Sequence, residues 1–280
     1  MPEIAAAPSV IIDACGLSDR GKVRTANQDY FVVAAVQKSV AIRHSNVPDD
    51  VLAHRFGATE CHLLAVADGV GGRPEGDVAS ERTIAGLLDY VGRTAGCFHG
   101  LDVAGEHDLL TRLEQTVRAV HEGLLEEFGR GDRVPATTLT LLLLVWPRAY
   151  LMHVGDSRAY VHRGGRLRQL TRDQTFGEYM VALGAWSEEQ AARAPASGNL
   201  SSAVGGSDIT PVIGLVDLDP GDSVLLCTDG LYKHVSDEEI TRVLGESSGS
   251  EPACRTLVEL ALAGGGTDNV TVVVVKTRPD

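Results

Sequence analysis

Short apolar runs that end in an aspartate beside a glycine recur along this chain, and they constrain it more than any other feature. The first run, His62-Leu63-Leu64-Ala65-Val66, leads into Ala67-Asp68-Gly69-Val70-Gly71-Gly72. Residues 149–154 lead into Gly155-Asp156-Ser157, and residues 223–228 into Asp229-Gly230. In mirror order, Thr267-Asp268-Asn269 precedes the run 270–276. Such runs read as buried strands. Glycine after the acid lets the backbone turn sharply and bare its carbonyls. Taken singly, Asp-Gly is a turn dipeptide, and each acid can simply cap a strand or a turn. Taken together, four acids at strand ends can converge along one edge of an antiparallel sheet. Carboxylates so placed repel one another unless cations sit among them. An all-oxygen set without His or Cys suits Mg²⁺ or Mn²⁺ rather than Zn²⁺.

Further strands are expected at 11–19, 30–36, 137–146 and 158–163. The segment 149–163 reads as a tight hairpin with Asp156 at its tip. Residues 37–60, with a Pro48-Asp49-Asp50 turn, read as an insertion between strands. Glu75–Val91 has helical spacing, with Ile84, Leu87, Leu88 and Val91 on one face, and residues 94–104 read as loop. Glu106–Phe128 is the clearest helix, and its charged face reads as solvated. Short helices and loop are expected over 174–200, and a late helix over Glu251–Ala263. Strands and helices in separate blocks imply an α+β fold with mainly antiparallel sheets.

A chain of 280 residues with 44% hydrophobic content can bury a large core in one domain. Its net charge of −13 argues against nucleic acid or an anionic membrane surface as partner. The longest apolar run, Leu139–Val145, is far too short to span a bilayer. The five cysteines form no CxxC pair, so zinc and dithiol chemistry have no support. With no basic segment behind Met1-Pro2-Glu3-Ile4, the expected address is the cytoplasm.

Six short motifs in order are Gly21-x-x-Arg24-x-x-Asn27-Gln28-Asp29, Asp68-Gly69-Val70-Gly71-Gly72, Ala136-Thr137-Thr138, His153-Val154-Gly155-Asp156-Ser157-Arg158, Thr228-Asp229-Gly230-Leu231 and Asp268-Asn269-Val270-Thr271. With these, nearly the whole chain, from about Gly16 to Val275, resembles the type 2C (PPM) metal-dependent Ser/Thr protein phosphatases of bacteria. The resemblance implies a single phosphatase domain over 1–280, with a core of about 13–276 and a flap at about 172–205. Its fold would be a sandwich of two mainly antiparallel sheets flanked by helices on both sides. It also implies two Mn²⁺ or Mg²⁺ ions, with a weaker third.

By that resemblance Asp68 bridges the two metals and the Gly69 carbonyl binds the second. Asp229 and Asp268 hold the first, and Asp29 lies beside the second. The implied nucleophile is a metal-bridging water held by Asp68, attacking phosphorus in line without a phosphoenzyme. Arg24 would grip the substrate phosphate; its plain alternative is a surface ion pair with Asp19 or Asp29. Asp156 would serve the third site together with Asp229. Phosphorylated proteins are the implied substrates and a Ser/Thr protein kinase the implied partner.

The chain departs from the family pattern at several places. Gln28 stands where many members have Glu, Val70 where animal-type members have His, and Ala136 where Gly is usual. Lys233 stands four residues after Asp229, where some members supply another acid, and Ser197–Ala203 lacks the Arg often found near the flap end. His153, in mid-strand, reads as a satisfied core residue rather than a substitute acid. A catalytically weak pseudophosphatase that binds phosphoproteins is the alternative on the same fold; the presence of Asp68 and Asp229 argues against it. An ATP-using phosphotransferase lacks its GxxxxGK[ST] loop.

Overall fold

A computed structural model describes residues 10–37, 59–70, 75–94, 103–131 and 134–280. The strands are β1 (Val10–Asp19), β2 (Asp29–Gln37), β3 (Thr59–Asp68), β4 (Leu139–Val145), β5 (Arg148–Val154), β6 (Arg158–Arg163), β7 (Arg166–Gln169), β8 (Val212–Asp217), β9 (Ser223–Cys227) and β10 (Val270–Pro279). The helices are α1 (Gly76–Thr94), α2 (Val103–Phe128), α3 (Phe176–Ala182), α4 (Glu188–Arg193), α5 (Asp229–Tyr232), α6 (Asp237–Glu246) and α7 (Ser250–Ala263). Two five-stranded sheets form, in the orders β1-β10-β9-β6-β7 and β2-β3-β4-β5-β8. Every strand pairing in them is antiparallel.

The inner strands are apolar throughout because both faces of each sheet are covered. In β4, Leu142 and Leu144 pack between the sheets with Leu64, Val66, Leu226, Val273 and Val275. Its alternate residues, Leu141 and Leu143, face the other way, into a cluster with Leu87, Val91, Leu113, Val117 and Leu124 of α1 and α2. On the far side Leu225, Cys227, Val272 and Val274 meet Leu231, Ile240, Val243 and Leu257 of α5, α6 and α7. The result is four layers, α-β-β-α.

Several expectations need correction. The segment 149–163 is not a hairpin. β5 pairs with β4 and β8, whereas β6 pairs with β9 and β7, so Gly155-Asp156-Ser157 crosses from one sheet to the other. Gly155 makes the crossing at φ +101°, and a Cβ there would sit 2.7 Å from Thr138 Cγ2. The acids do not share one sheet edge either. Asp29 and Asp68 are directly opposed on β2 and β3, while Asp229 and Asp268 flank β9 and β10 of the other sheet. They meet at one end of the sandwich instead.

Leu88 is exposed, and α1 buries Ala79, Thr83, Ile84, Leu87 and Val91. Helix α2 begins at Val103, inside the expected loop 94–104. Strands β7 and β8 and helix α6 had not been expected. For α6 the signal was present, since Ser236 and Glu239 form a capping box at its start. Of the insertion expected at 37–60, residues 38–58, with Pro48-Asp49-Asp50, lie outside the described residues, as do Gly71 and Gly72.

Candidate active site

A cavity of about 640 Å³ opens where the two sheets end, lined by Arg24, Gln28, Asp68, Gly69, Asp156, Asp229, Lys233, Asp268 and residues 198–203 and 206–208 of the flap side. Asp68 is the last residue of β3. Its backbone is held by the segment before β4, with Thr137 Oγ1 and Thr138 N both donating to its carbonyl at 2.9 Å. Its own N–H donates to Thr138 Oγ1 at 3.1 Å. The next two amides continue the clamp, Gly69 N to the Gln28 carbonyl and Val70 N to the Ala136 carbonyl. A side chain at Gly69 would stand 2.7 Å from the backbone carbon of Gly76, so this turn accepts only glycine.

Asp29 is buried just behind Asp68, and its Oδ2 stitches the two sheets together. Thr228 Oγ1 donates to it at 2.9 Å and Thr271 Oγ1 at 2.7 Å, both from the opposite sheet. Asn269 fixes the loop that carries Arg24, donating from Nδ2 to the carbonyls of Arg20 and Ala26 and accepting from Gln28 N, each at 2.9 Å. Arg24 donates to Asp268 Oδ2 at 2.7 Å, rather than pairing with Asp19 or Asp29. Lys233, one helical turn after Asp229, folds into the cavity and pairs with Asp229 Oδ2.

These acids are costly to ionise together. Burial pushes the Asp68 carboxyl well up, and Asp29, Asp229, Asp156 and Asp268 add their repulsion. Burial likewise raises Asp29 to about 7 against the pull of its two threonine hydroxyls. Asp156 rises to about 7 through burial and Asp229, with Lys233 acting in opposition.

Among the described residues no three or more His, Cys, Asp or Glu side chains are arranged as a set that holds a metal ion. Asp268 Oδ2 faces Arg24, Asp229 Oδ2 faces Lys233 and Asp29 Oδ2 faces the two threonines. Two buried oxygens, Asp29 Oδ1 and Asp229 Oδ1, nevertheless have no hydrogen-bond partner at all. Unpaired buried carboxylate oxygens are expensive, and hard cations are the ligand that suits them. The donor set therefore fits divalent metal.

Three further residues are now placed. His153 is buried and hydrogen-bonded at both nitrogens, to Thr140 Oγ1 at 2.9 Å and the Arg172 carbonyl at 3.1 Å. Burial lowers its pKa to about 4, which fits a satisfied core residue. Tyr232 donates its hydroxyl to the Asp156 carbonyl at 3.1 Å. Arg158 stacks 3.6 Å above the Tyr232 ring and forks onto Asp173 with contacts of 3.0 and 2.8 Å. The threonines, Asn269 and Tyr232 had no role in the sequence reading. Thr137, Thr138, Thr228, Thr271 and Asn269 fall inside the quoted motifs, and Tyr232 directly follows one of them, which was their only signal.

The profile of the protein phosphatase 2C family matches residues 39–261, and the chain belongs to that family. The serine/threonine protein phosphatase PstP of Mycobacterium tuberculosis is 35% identical over 268 residues, covering 95% of this chain and 45% of PstP. The chain thus spans about half the length of that relative. Protein phosphatase PhpP of Streptococcus pneumoniae is 30% identical over 274 residues, covering 94% of this chain and 97% of PhpP. The crystal structure of the PstP catalytic domain in complex with two manganese ions superposes with a TM-score of 0.70 at 32% identity, covering 96% of this chain and all of that one.

Proposed function

We propose that this chain is a metal-dependent phosphoprotein phosphatase that hydrolyses phosphoserine and phosphothreonine. The observation that carries it is the convergence of Asp68, Asp156, Asp229, Asp268 and Arg24 on one cavity, above a buried Asp29, with two carboxylate oxygens left unpaired. Asp68, the Gly69 carbonyl, Asp229 and Asp268 would hold two Mn²⁺ or Mg²⁺ ions, with Asp29 beside the second, and Asp156 and Asp229 would offer a third, weaker position. When bound, such ions supply an activated water and offset the charge of the phosphoryl group.

The chain's own residues do the rest. The Thr137 and Thr138 clamp fixes where Asp68 points, and Thr228 and Thr271 lock Asp29. Arg24 presents a planar fork to phosphate oxygens, leaving Asp268 to do so. No histidine lines the cavity among the described residues, so we assign solvent as proton source for the leaving oxygen. The flap side, residues 198–203, offers one amide, Leu200 and small side chains without a cation, which suits contact with peptide rather than with a second phosphate.

We extend the proposal to a single catalytic domain with 172–205 as flap, working on phosphoproteins that include a Ser/Thr protein kinase, in the cytoplasm. The names of the relatives support the phosphoprotein substrate, and four described cysteines that all remain thiols fit a reducing compartment. A weak regulatory module on the same fold is not favoured, because the acids that would hold metal are all present. Turnover of p-nitrophenyl phosphate and of a phosphothreonine peptide, in EDTA and after adding Mn²⁺, tests the proposal. Activity should vanish in chelator and return with metal, and full activity in EDTA would overturn it.

A further inference from the structure

Lys233 follows the one-turn helix α5 and looks back at the residue that opens it. Its ammonium meets Asp229 Oδ2 inside the cavity, while Asp229 Oδ1 stays buried and unpartnered. Asp156 and Asp268 also act on this ammonium, so it sits in the field of three acids. The lysine side chain is 53% exposed and the aspartate 14%, which lets the cation swing out without disturbing the core. The cavity holds five carboxylates, from Asp68, Asp156, Asp208, Asp229 and Asp268, against two side-chain cations, Arg24 and Lys233.

An ammonium on Oδ2 of Asp229 and a divalent ion on the unpaired Oδ1 would stand only a few ångströms apart, and their charges repel. We propose that Lys233 is a tethered counter-ion for the first metal position. In the metal-free protein it neutralises Asp229, and metal binding must overcome its repulsion or push it aside. Lys233 therefore sets the metal concentration at which the site fills. The inference rests on Asp229 being a metal ligand, and its test separates the two claims.

Calorimetric titration with Mn²⁺ and melting of the metal-free protein, at one pH and moderate salt, would compare wild type with Lys233→Met, Lys233→Gln, Lys233→Arg and Asp229→Asn. Both neutral variants should bind the first Mn²⁺ about tenfold more tightly, the size of a lost charge-assisted contact. They should also melt a few degrees lower without metal, since Asp229 and Asp156 lose their counter-ion. Lys233→Arg should return both readings towards wild type, and Asp229→Asn should weaken Mn²⁺ binding. If Asp229→Asn weakens binding but the neutral variants match wild type or bind worse, the counter-ion role is wrong and the metal site stands. If Asp229→Asn leaves Mn²⁺ binding unchanged, the metal assignment fails and the counter-ion role with it.

Discussion

Two sets of acid–base contacts lie on either side of Tyr232, and they are built differently. Outside the cavity, Arg158 donates through Nε and Nη2 to Asp173, through Nη1 to Tyr160, and stacks on Tyr232. Its side chain is 23% exposed and that of Asp173 15%. Inside the cavity, Arg24 and Lys233 each touch one oxygen of one acid, and their side chains are 40% and 53% exposed. In the first set both oxygens of Asp173 and three guanidinium nitrogens of Arg158 are engaged. The second leaves oxygens and donors unused, which is what exchange with metal and phosphate requires. Satisfied polar networks hold a fold in one arrangement, whereas incompletely satisfied ones mark places where a ligand completes the count.

The sharpest break of that comparison is at the cavity acids. Asp68→Asn and Asp229→Asn should each cut kcat on a phosphopeptide by roughly a thousandfold or more, since on the proposed assignment each would remove a negative ligand oxygen from a metal position. Their stability should move the other way. A buried acid whose pKa is raised in the fold takes stability away as pH climbs from its unfolded pKa to its folded one; the cost is complete above the folded value and absent below the unfolded one. Replacing Asp68 by the neutral amide at pH 8 should therefore leave the metal-free protein melting no lower than wild type. Near wild-type kcat in either variant would remove that residue from the ligand set.

The more fully paired side should respond in stability first. Arg158→Ala strands Asp173 and uncovers Tyr232, and should cost about 3 kcal/mol, the low end for breaking a buried pair that retains some exposure. Urea unfolding of the metal-free protein measures it, and a loss below about 1 kcal/mol would place the pair with ordinary surface bridges. By contrast, Arg24→Ala should leave stability within about 0.5 kcal/mol. It should instead raise KM for phosphopeptides about tenfold, because the proposed role has the guanidinium bind phosphate in ground and transition states alike. An unchanged kcat/KM would reduce Arg24 to a partner of Asp268 alone.

The same contrast explains what the sequence made legible. Inner strands such as β4 announce themselves because Leu141 and Leu143 face helices while Leu142 and Leu144 face the other sheet. The edge strands β7 and β8 do not, although the edge strands β1 and β2 were expected at 11–19 and 30–36. Strand β7 reads Arg166-Leu167-Arg168-Gln169 and has no apolar run, whereas β8 is apolar over 212–216 but short, interrupted by Gly214 and half exposed at Val212 and Leu215. The Gly155-Asp156-Ser157 link has the length of a hairpin turn, and only the partners of β5 and β6 show that it joins two sheets. Within the site, the acids stood out by their position beside glycines at strand ends. Thr228 and Thr271 did not, because a threonine in or next to a strand is an ordinary β residue until an acid from the opposite sheet meets it. The direction of Lys233 was equally hidden, since one turn of α5 is all that aims it.

The smallest effect lies at the seam between the two sets. Tyr232 belongs to both, since its ring carries Arg158 and its hydroxyl holds the Asp156 carbonyl. Tyr232→Phe keeps the ring and the stacking and removes only the hydrogen bond, at a cost of about 1 kcal/mol. If that bond serves only the fold, kcat and the number of Mn²⁺ bound should match wild type. If it aims Asp156 into the cavity, the weaker third metal position should loosen and kcat fall about twofold to fivefold while the first two ions bind as before. The second outcome is expected, because the crossover from β5 to β6 has a glycine at its start and depends on outside contacts for its shape. Asp156→Ala sets the scale, since it should keep two tight ions and lose much of the turnover. Calorimetry and kcat on the two variants together decide it: equal values for Tyr232→Phe and wild type would make the hydroxyl a structural tie, and equal values for Asp156→Ala and wild type would remove the third position altogether.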